Sequence, residues 1–273
     1  MNPKNMRHRY AFAGAYLACF VVIEFGYALL TPDAQARLIA WASTSVANLE
    51  HEPALPLVFS ALVTPGDFVI WPVLIALAVF GANRALGNAR TALVCLAGQV
   101  IGSLVSEGIV AYRVDAGQLA VANRYLTDVG PSYVVVSAIV IALACGTWFA
   151  RALAAADLAV LVFPGHIFGG LSQLDVSAVG HLTAMLTAAA ATALILIRRR
   201  RRATSSRRSG GHVAGADGHA DQVGDPGGAG PKEQLPQRAA PERPFGQPGH
   251  QAPADDRGDG GEAERGGHDV QAG

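Results

Sequence analysis

Six apolar stretches limit what this chain can fold into: Tyr10–Leu30, Phe68–Ala82, Thr91–Tyr112, Pro131–Ala150, Ala152–Phe168 and Val176–Ile197. A hydrocarbon core about 30 Å thick takes about 20 apolar residues as a helix, and several of these runs approach or exceed that length. Lipid supplies no hydrogen-bond partners, so a spanning run must satisfy its own backbone as a helix. The expected fold class is an all-α membrane protein, a six-transmembrane-helix bundle over residues 1–202. A soluble globular enzyme is excluded. Nucleic-acid binding is not expected, because the basic residues sit at helix ends without interleaved aromatics.

The chain is 51% hydrophobic and only 15% charged, with 21 basic and 21 acidic residues. Those averages hide two unlike parts. Residues 203–273 are rich in Gly, Pro and charge and hold one aromatic residue, Phe245. Such a segment buries too little apolar surface to offset its ordering entropy, so it reads as a disordered cytoplasmic tail. Cys19, Cys95 and Cys145 lie inside apolar runs and have no metal-ligand or disulfide spacing. They read as small buried apolar residues. No metal or organic cofactor is expected.

Ala34-Gln35-Ala36 resembles a signal-peptide cleavage site. The run before it is longer than a usual signal core and contains Glu24, so a retained helix is expected. Residues 31–52 read as a polar loop with a short helix along Ala34–Leu49. Leu55–Val63 is too short to cross and would lie in the interface or re-enter. Thr64-Pro65-Gly66-Asp67 interrupts the second apolar region, and Arg151 reads as a tight turn between the fourth and fifth spans.

Lys and Arg placement sets orientation. With the N-terminus inside, inner loops hold Lys4, Arg7, Arg9, Arg84, Arg90, Arg151 and the Arg198–Arg202 run. Outer loops hold Arg37, Arg113 and Arg124 among Asp33, Glu50, Glu52, Asp115, Asp128 and Asp175. Both termini are then cytoplasmic, and the Arg run anchors topology beside anionic lipid.

A charge at the bilayer centre costs about 2.5–3.5 kcal/mol or more. The polar residues within the runs are therefore candidates: Glu24, Gln99, Ser103, Ser106, Glu107, Ser132, Ser137, Asp157 and His181. Two share a depth. Ser132 lies about 3 Å below the outer entry of the fourth run, and His181 about 7–8 Å into the sixth. A serine hydroxyl needs a base, and a neutral imidazole supplies one. Gly130-Pro131 breaks the chain before the fourth helix, whose free N-terminal amides suit an oxyanion. The blander reading is interhelical or backbone hydrogen bonding by Ser132 and a satisfied polar role for His181.

Gly130-Pro131-Ser132-Tyr133 resembles the Gly-x-Ser-x start of the fourth helix in rhomboid intramembrane serine proteases. His181 followed by Ala184 and Ala188 resembles their sixth-helix pattern, in which small residues let the catalytic helices pack closely. Arg84-Ala85-Leu86-Gly87 after the second span and the small-residue third span follow the same order. Asp128 through Tyr133 is similar to an Asp-Val-Gly-x-Ser-Tyr motif of a divergent bacterial rhomboid-like group. The resemblance covers roughly residues 10–197. It implies a Ser132–His181 dyad, a transmembrane protein substrate or client, and a multi-pass protein of a bacterial cell membrane. It also implies a short fifth helix acting as a gate. Two departures stand out. Tyr133 replaces the usual Gly after the nucleophile, and Asp67–Ala82 lacks the His and Asn that usually help hold the oxyanion. Trp71 or Gln99 is the alternative donor.

Other residues carry competing readings. Gly98-x-x-x-Gly102, extended by Ser106, is a packing face. Glu107 either orients His181 or is a hydrogen-bonded carboxylate. Asp128 and Asp175 either fix loop geometry, assist His181 or are solvated. Glu24 is either paired in the bundle or part of a proton path. Asp157 is close enough in sequence to pair with Arg151. His166, beside Pro164-Gly165, has no assigned role. Three functions follow: a rhomboid-like serine protease, an inactive rhomboid-like binder of transmembrane helices, and a small transporter with Glu24, Gln99 and Glu107 along one polar path.

Overall fold

The computed structural model describes residues 9–66 and 69–210. Among them there is no strand. The helices are α1 (Ala11–Ala28), α2 (Pro32–Ala42), α3 (Val46–His51), α4 (Ala54–Phe59), α5 (Ile70–Leu86), α6 (Asn88–Asp115), α7 (Ser132–Cys145), α8 (Trp148–Val162) and α9 (Val176–Gly210). Among the described residues, three helices are long and apolar enough to cross a membrane: α1, α6 and the Val176–Arg202 part of α9. Helices α5 and α7 are apolar but shorter. Helix α9 runs past residue 202 to Gly210. The rest of the expected tail, residues 211–273, lies outside the described residues.

Local chemistry sets the helix ends. Pro32 sits in the first turn of α2, where its missing N–H costs nothing, and the Thr31 hydroxyl accepts from the Ala34 amide. Ser43-Thr44-Ser45 breaks the expected 34–49 helix into α2 and α3. Gly87 adopts φ +83°, a conformation glycine takes without steric cost, and it turns α5 directly into α6. The α7–α8 turn is Gly146-Thr147, not Arg151, which lies within α8. A Cβ on Gly146 would come 2.3 Å from the Ala142 carbonyl oxygen, and the Thr147 hydroxyl accepts from the Ala150 amide.

Helix α7 is the centre of the bundle, with α5, α6, α8 and α9 packed around it. Residues 133–139, 141 and 142 are buried. Its 14 residues span only about 21 Å, less than the hydrocarbon core. A helix this short can end inside a membrane only where protein or a wet cavity takes over its backbone groups. The chain just before its N-terminus is held by other elements. The Gly130 amide donates to the Ser60 carbonyl at 2.7 Å. Ser60 belongs to the single 3-10 turn (Ser60–Leu62) that follows α4. That segment is fastened to α1, because the Tyr16 hydroxyl donates to the Ala61 carbonyl and Glu24 accepts from the Thr64 amide at 2.6 Å. Glu24 is therefore paired inside the bundle.

The small-residue face of α6 is a packing surface. A Cβ on Gly98 would fall 2.0 Å from the Ser137 hydroxyl oxygen. One on Gly102 would fall 3.1 Å from the Gly180 carbonyl oxygen and 3.4 Å from the Tyr133 ring. Ala184 and Ala188 are fully buried. Ser106 and Ser137 bond back to carbonyls of their own helices, at Gly102 and Tyr133. Asp157 is buried on α8 but makes no ion pair with Arg151, whose guanidinium donates to the Ala144 carbonyl. Six residues at about 100° each put the two side chains well apart around the helix.

Candidate active site

Ser132 is the first residue of α7, and no side chain caps that end. Gly130 takes φ +136°, which any side chain would oppose. The amides of residues 132–134 have no intrahelical acceptor. Ser132 and His181 line one cavity of about 250 Å³, together with Trp71, Leu161, His166 and Asp175.

His181 lies on α9 and is 3% exposed. Its Nδ1 sits 3.1 Å from the Ile167 carbonyl oxygen, with the Ser177 hydroxyl 3.4 Å away on the same nitrogen. A carbonyl only accepts, so the bond places the proton on Nδ1 and the lone pair on Nε2. Nε2 is buried and has no hydrogen-bond partner. Ser132 and His181 share the cavity without a hydrogen bond between them. Such contacts are often long before substrate binds.

Tyr133 turns the other way, into the helix interface. Its ring meets His181 edge to face, with centroids 5.0 Å apart and planes at 83°. Its hydroxyl donates to Asp128 at 2.9 Å. Asp128 in turn accepts from the Thr44 hydroxyl, and its own amide donates to the Ser43 hydroxyl at 2.8 Å. The link between α2 and α3 thereby steadies the ring that flanks His181. Asp175 accepts from the Ser177 and Ala178 amides and caps α9. Both aspartates fix loop geometry, and neither hydrogen-bonds the imidazole, though Asp175 lines the same cavity.

Burial raises the Asp128 carboxyl above its usual range; hydrogen bonds from Tyr133 and Thr44 oppose the rise in part. A carboxyl raised in the folded state stabilises the fold below its unfolded pKa, and that contribution is lost as pH rises through the raised value. Thermal unfolding of wild type should therefore lose stability as pH climbs above the ordinary carboxylate range. Asp128→Asn should flatten that slope. Identical slopes would mean that Asp128 titrates as it does in the unfolded chain.

Two proposed partners lie elsewhere. Glu107 is buried but lines a separate cavity of about 190 Å³ with Val46, Leu49 and Glu50. It does not orient His181; the Ile167 carbonyl does. Glu107 falls about 140° around α6 from Gly102, on a different face from the one that meets α7 and α9. Gln99 donates to the Ser60 hydroxyl at 3.0 Å and lines an apolar cavity with Tyr16 and Cys95, so it is not a donor to this site. Gln99 and Glu107 line different cavities, and the Glu24 carboxylate accepts from the Thr64 amide. His166 and the Ile167 carbonyl are the site features missed in the sequence. A histidine beside Pro164-Gly165 was the one available signal.

The serine that starts α7 and a histidine of α9 with an unpartnered ring nitrogen line one cavity of a helical membrane protein. The chain matches the family model described as rhomboid-like protein over residues 9–202, and it belongs to that family. No curated protein and no solved structure matches it.

Proposed function

We propose that this rhomboid-like protein is an intramembrane serine protease that cleaves transmembrane substrates with a Ser132–His181 dyad. The observation that carries the reading is the polarised imidazole: Nδ1 bonded to the Ile167 carbonyl, Nε2 buried, unpartnered and in the cavity of Ser132. The Ser132 oxygen attacks the scissile carbonyl of an unwound substrate helix, and its proton passes to Nε2. The carbonyl π electrons move to oxygen, and the α7 amides stabilise the oxyanion. Collapse breaks the C–N bond, and the Nε2 proton leaves with the amine. Water then attacks the acyl ester, gives its proton to Nε2 and restores Ser132 as the acid product departs. No cofactor enters this sequence. Six crossings with both termini cytoplasmic put the cavity at the outer side of a bacterial cell membrane, as the Lys and Arg placement supports.

The second reading is an inactive family member that binds transmembrane helices. The missing Ser132–His181 hydrogen bond favours it, and inactive homologues exist in the family. Fluorophosphonate labelling in detergent or liposomes separates the two. Wild type should label, while Ser132→Ala and His181→Ala should not. A folded but unlabelled wild type, beside a labelled active rhomboid, would make this chain a helix binder.

A further inference from the structure

An acyl-transfer site needs donors aimed at the oxyanion, and few around this cavity are uncommitted. The Gly130 amide is bonded to Ser60, Gly165 to Val160, Ile167 to Leu161 and Gly169 to His166. The Ser177 and Ala178 amides cap onto Asp175. The Tyr133 hydroxyl is bonded to Asp128, and the Ser177 hydroxyl sits at Nδ1 of His181, across the ring from Nε2. Two lining residues carry a side-chain donor with no hydrogen bond of its own, Trp71 and the exposed His166.

Their settings differ. Trp71 packs against the apolar core, which fixes its ring by shape. His166 is held by its backbone in the left-handed region, φ +47°. The amides on both sides of it, Gly165 and Ile167, donate back to the last turn of α8 at 3.0 and 3.1 Å, and its own carbonyl accepts from Gly169 at 2.7 Å. A non-glycine residue persists in that region only where its surroundings over-determine it, and such residues cluster at functional sites. The next residue, Ile167, carries the carbonyl that sets the His181 tautomer. One clamped tripeptide thus holds the base through the Ile167 carbonyl and lines the same cavity with His166.

We infer that His166 is the side-chain hydrogen-bond donor to the oxyanion, acting with the free amides at the start of α7. The inference rests on the serine-protease reading above. A neutral imidazole always keeps one N–H, so the role does not depend on His166 being charged. A donor from the α8–α9 loop also ties oxyanion stabilisation to the segment that holds the base.

The test is the rate of fluorophosphonate labelling by the full chain in detergent, since the phosphonyl oxygen occupies the oxyanion position. Thermal unfolding is followed in parallel. His166→Ala and His166→Gly should each slow labelling by about 10²–10³-fold, the usual loss for one oxyanion donor. His166→Asn restores an N–H donor and tolerates the left-handed backbone, so it should recover labelling to within about tenfold of wild type. A structural role would not distinguish Asn from Gly in this way, because Gly also relieves the strain. Wild-type labelling rates in His166→Gly, with Ser132→Ala silent, would overturn this inference and leave the dyad standing. The full loss appearing in Trp71→Phe instead would overturn it in favour of the indole. An unlabelled wild type would overturn both the dyad and the donor.

Discussion

Ser132→Ala and His181→Ala should each lower cleavage of a transmembrane peptide by about 10⁴–10⁶-fold, and the double variant should be scarcely worse than either single one. Residues that act as one unit show this gross non-additivity, because removing either partner disables the same proton transfer. The geometry supports a unit. Nε2 of His181 has no competing partner, and Ser132 is the hydroxyl at the start of α7 in the same cavity. The group on the far nitrogen is a neutral carbonyl, Ile167, not a carboxylate. It fixes the tautomer but stabilises the transient imidazolium less than a full negative charge would. Residual cleavage in the variants should come from the amides at the α7 start and from substrate binding, which act without the dyad. Cleavage rates in proteoliposomes, with substrate in the same bilayer, give the comparison. Losses that simply multiply in the double variant would mean two independent roles and would sink the dyad.

What could be read from residue order alone follows from the solvent. Lipid forces apolar runs into helices, so α1, α5, α6, α7, α8 and α9 each fall on an expected run. Counting residues from an expected outer loop at a fixed rise brings Ser132 and His181 together, and both line one cavity. The small face at Gly98, Gly102, Ala184 and Ala188 was also readable, because helices without a hydrophobic drive between them pack through small residues. The misreadings have physical causes. Arg151 reads as a turn in the sequence but lies within α8; the break is at Gly146-Thr147, where backbone approach and a hydroxyl cap decide. The α7 end at Cys145 was not visible, because neighbours replace lipid around a central helix and relax its length requirement. The sequence offers acids, Glu107, Asp128 and Asp175, to orient or assist His181. The actual partner is a main-chain carbonyl, which every residue carries and no residue type announces.

The second large effect is expected at Gly180, one residue before the base. An alanine Cβ there would lie 1.9 Å from the Tyr133 hydroxyl oxygen, 2.2 Å from Cζ and 2.8 Å from Cε1. The ring has little room to retreat. Its hydroxyl is tied to Asp128 at 2.9 Å, its face or edge meets His181, and Gly102 closes on its other side. Gly180→Ala must therefore displace the ring or push α7 and α9 apart. Overpacking of this kind typically costs about 1–3 kcal/mol. The chemical penalty should be larger in proportion, because α7 carries Ser132 and α9 carries His181. A misplacement of about 1 Å between reacting groups costs on the order of 10²-fold in rate. Gly180→Ala should thus lower unfolding stability modestly and labelling by about 10²-fold or more. The control is Gly180→Ala in a Tyr133→Ala background, where the clash is gone and the stability penalty should vanish, a coupling between touching residues. If the penalty persists without the tyrosine ring, the glycine serves the helix itself. In that case the close approach of the two helices rests on Gly98, Gly102 and Ala184 alone.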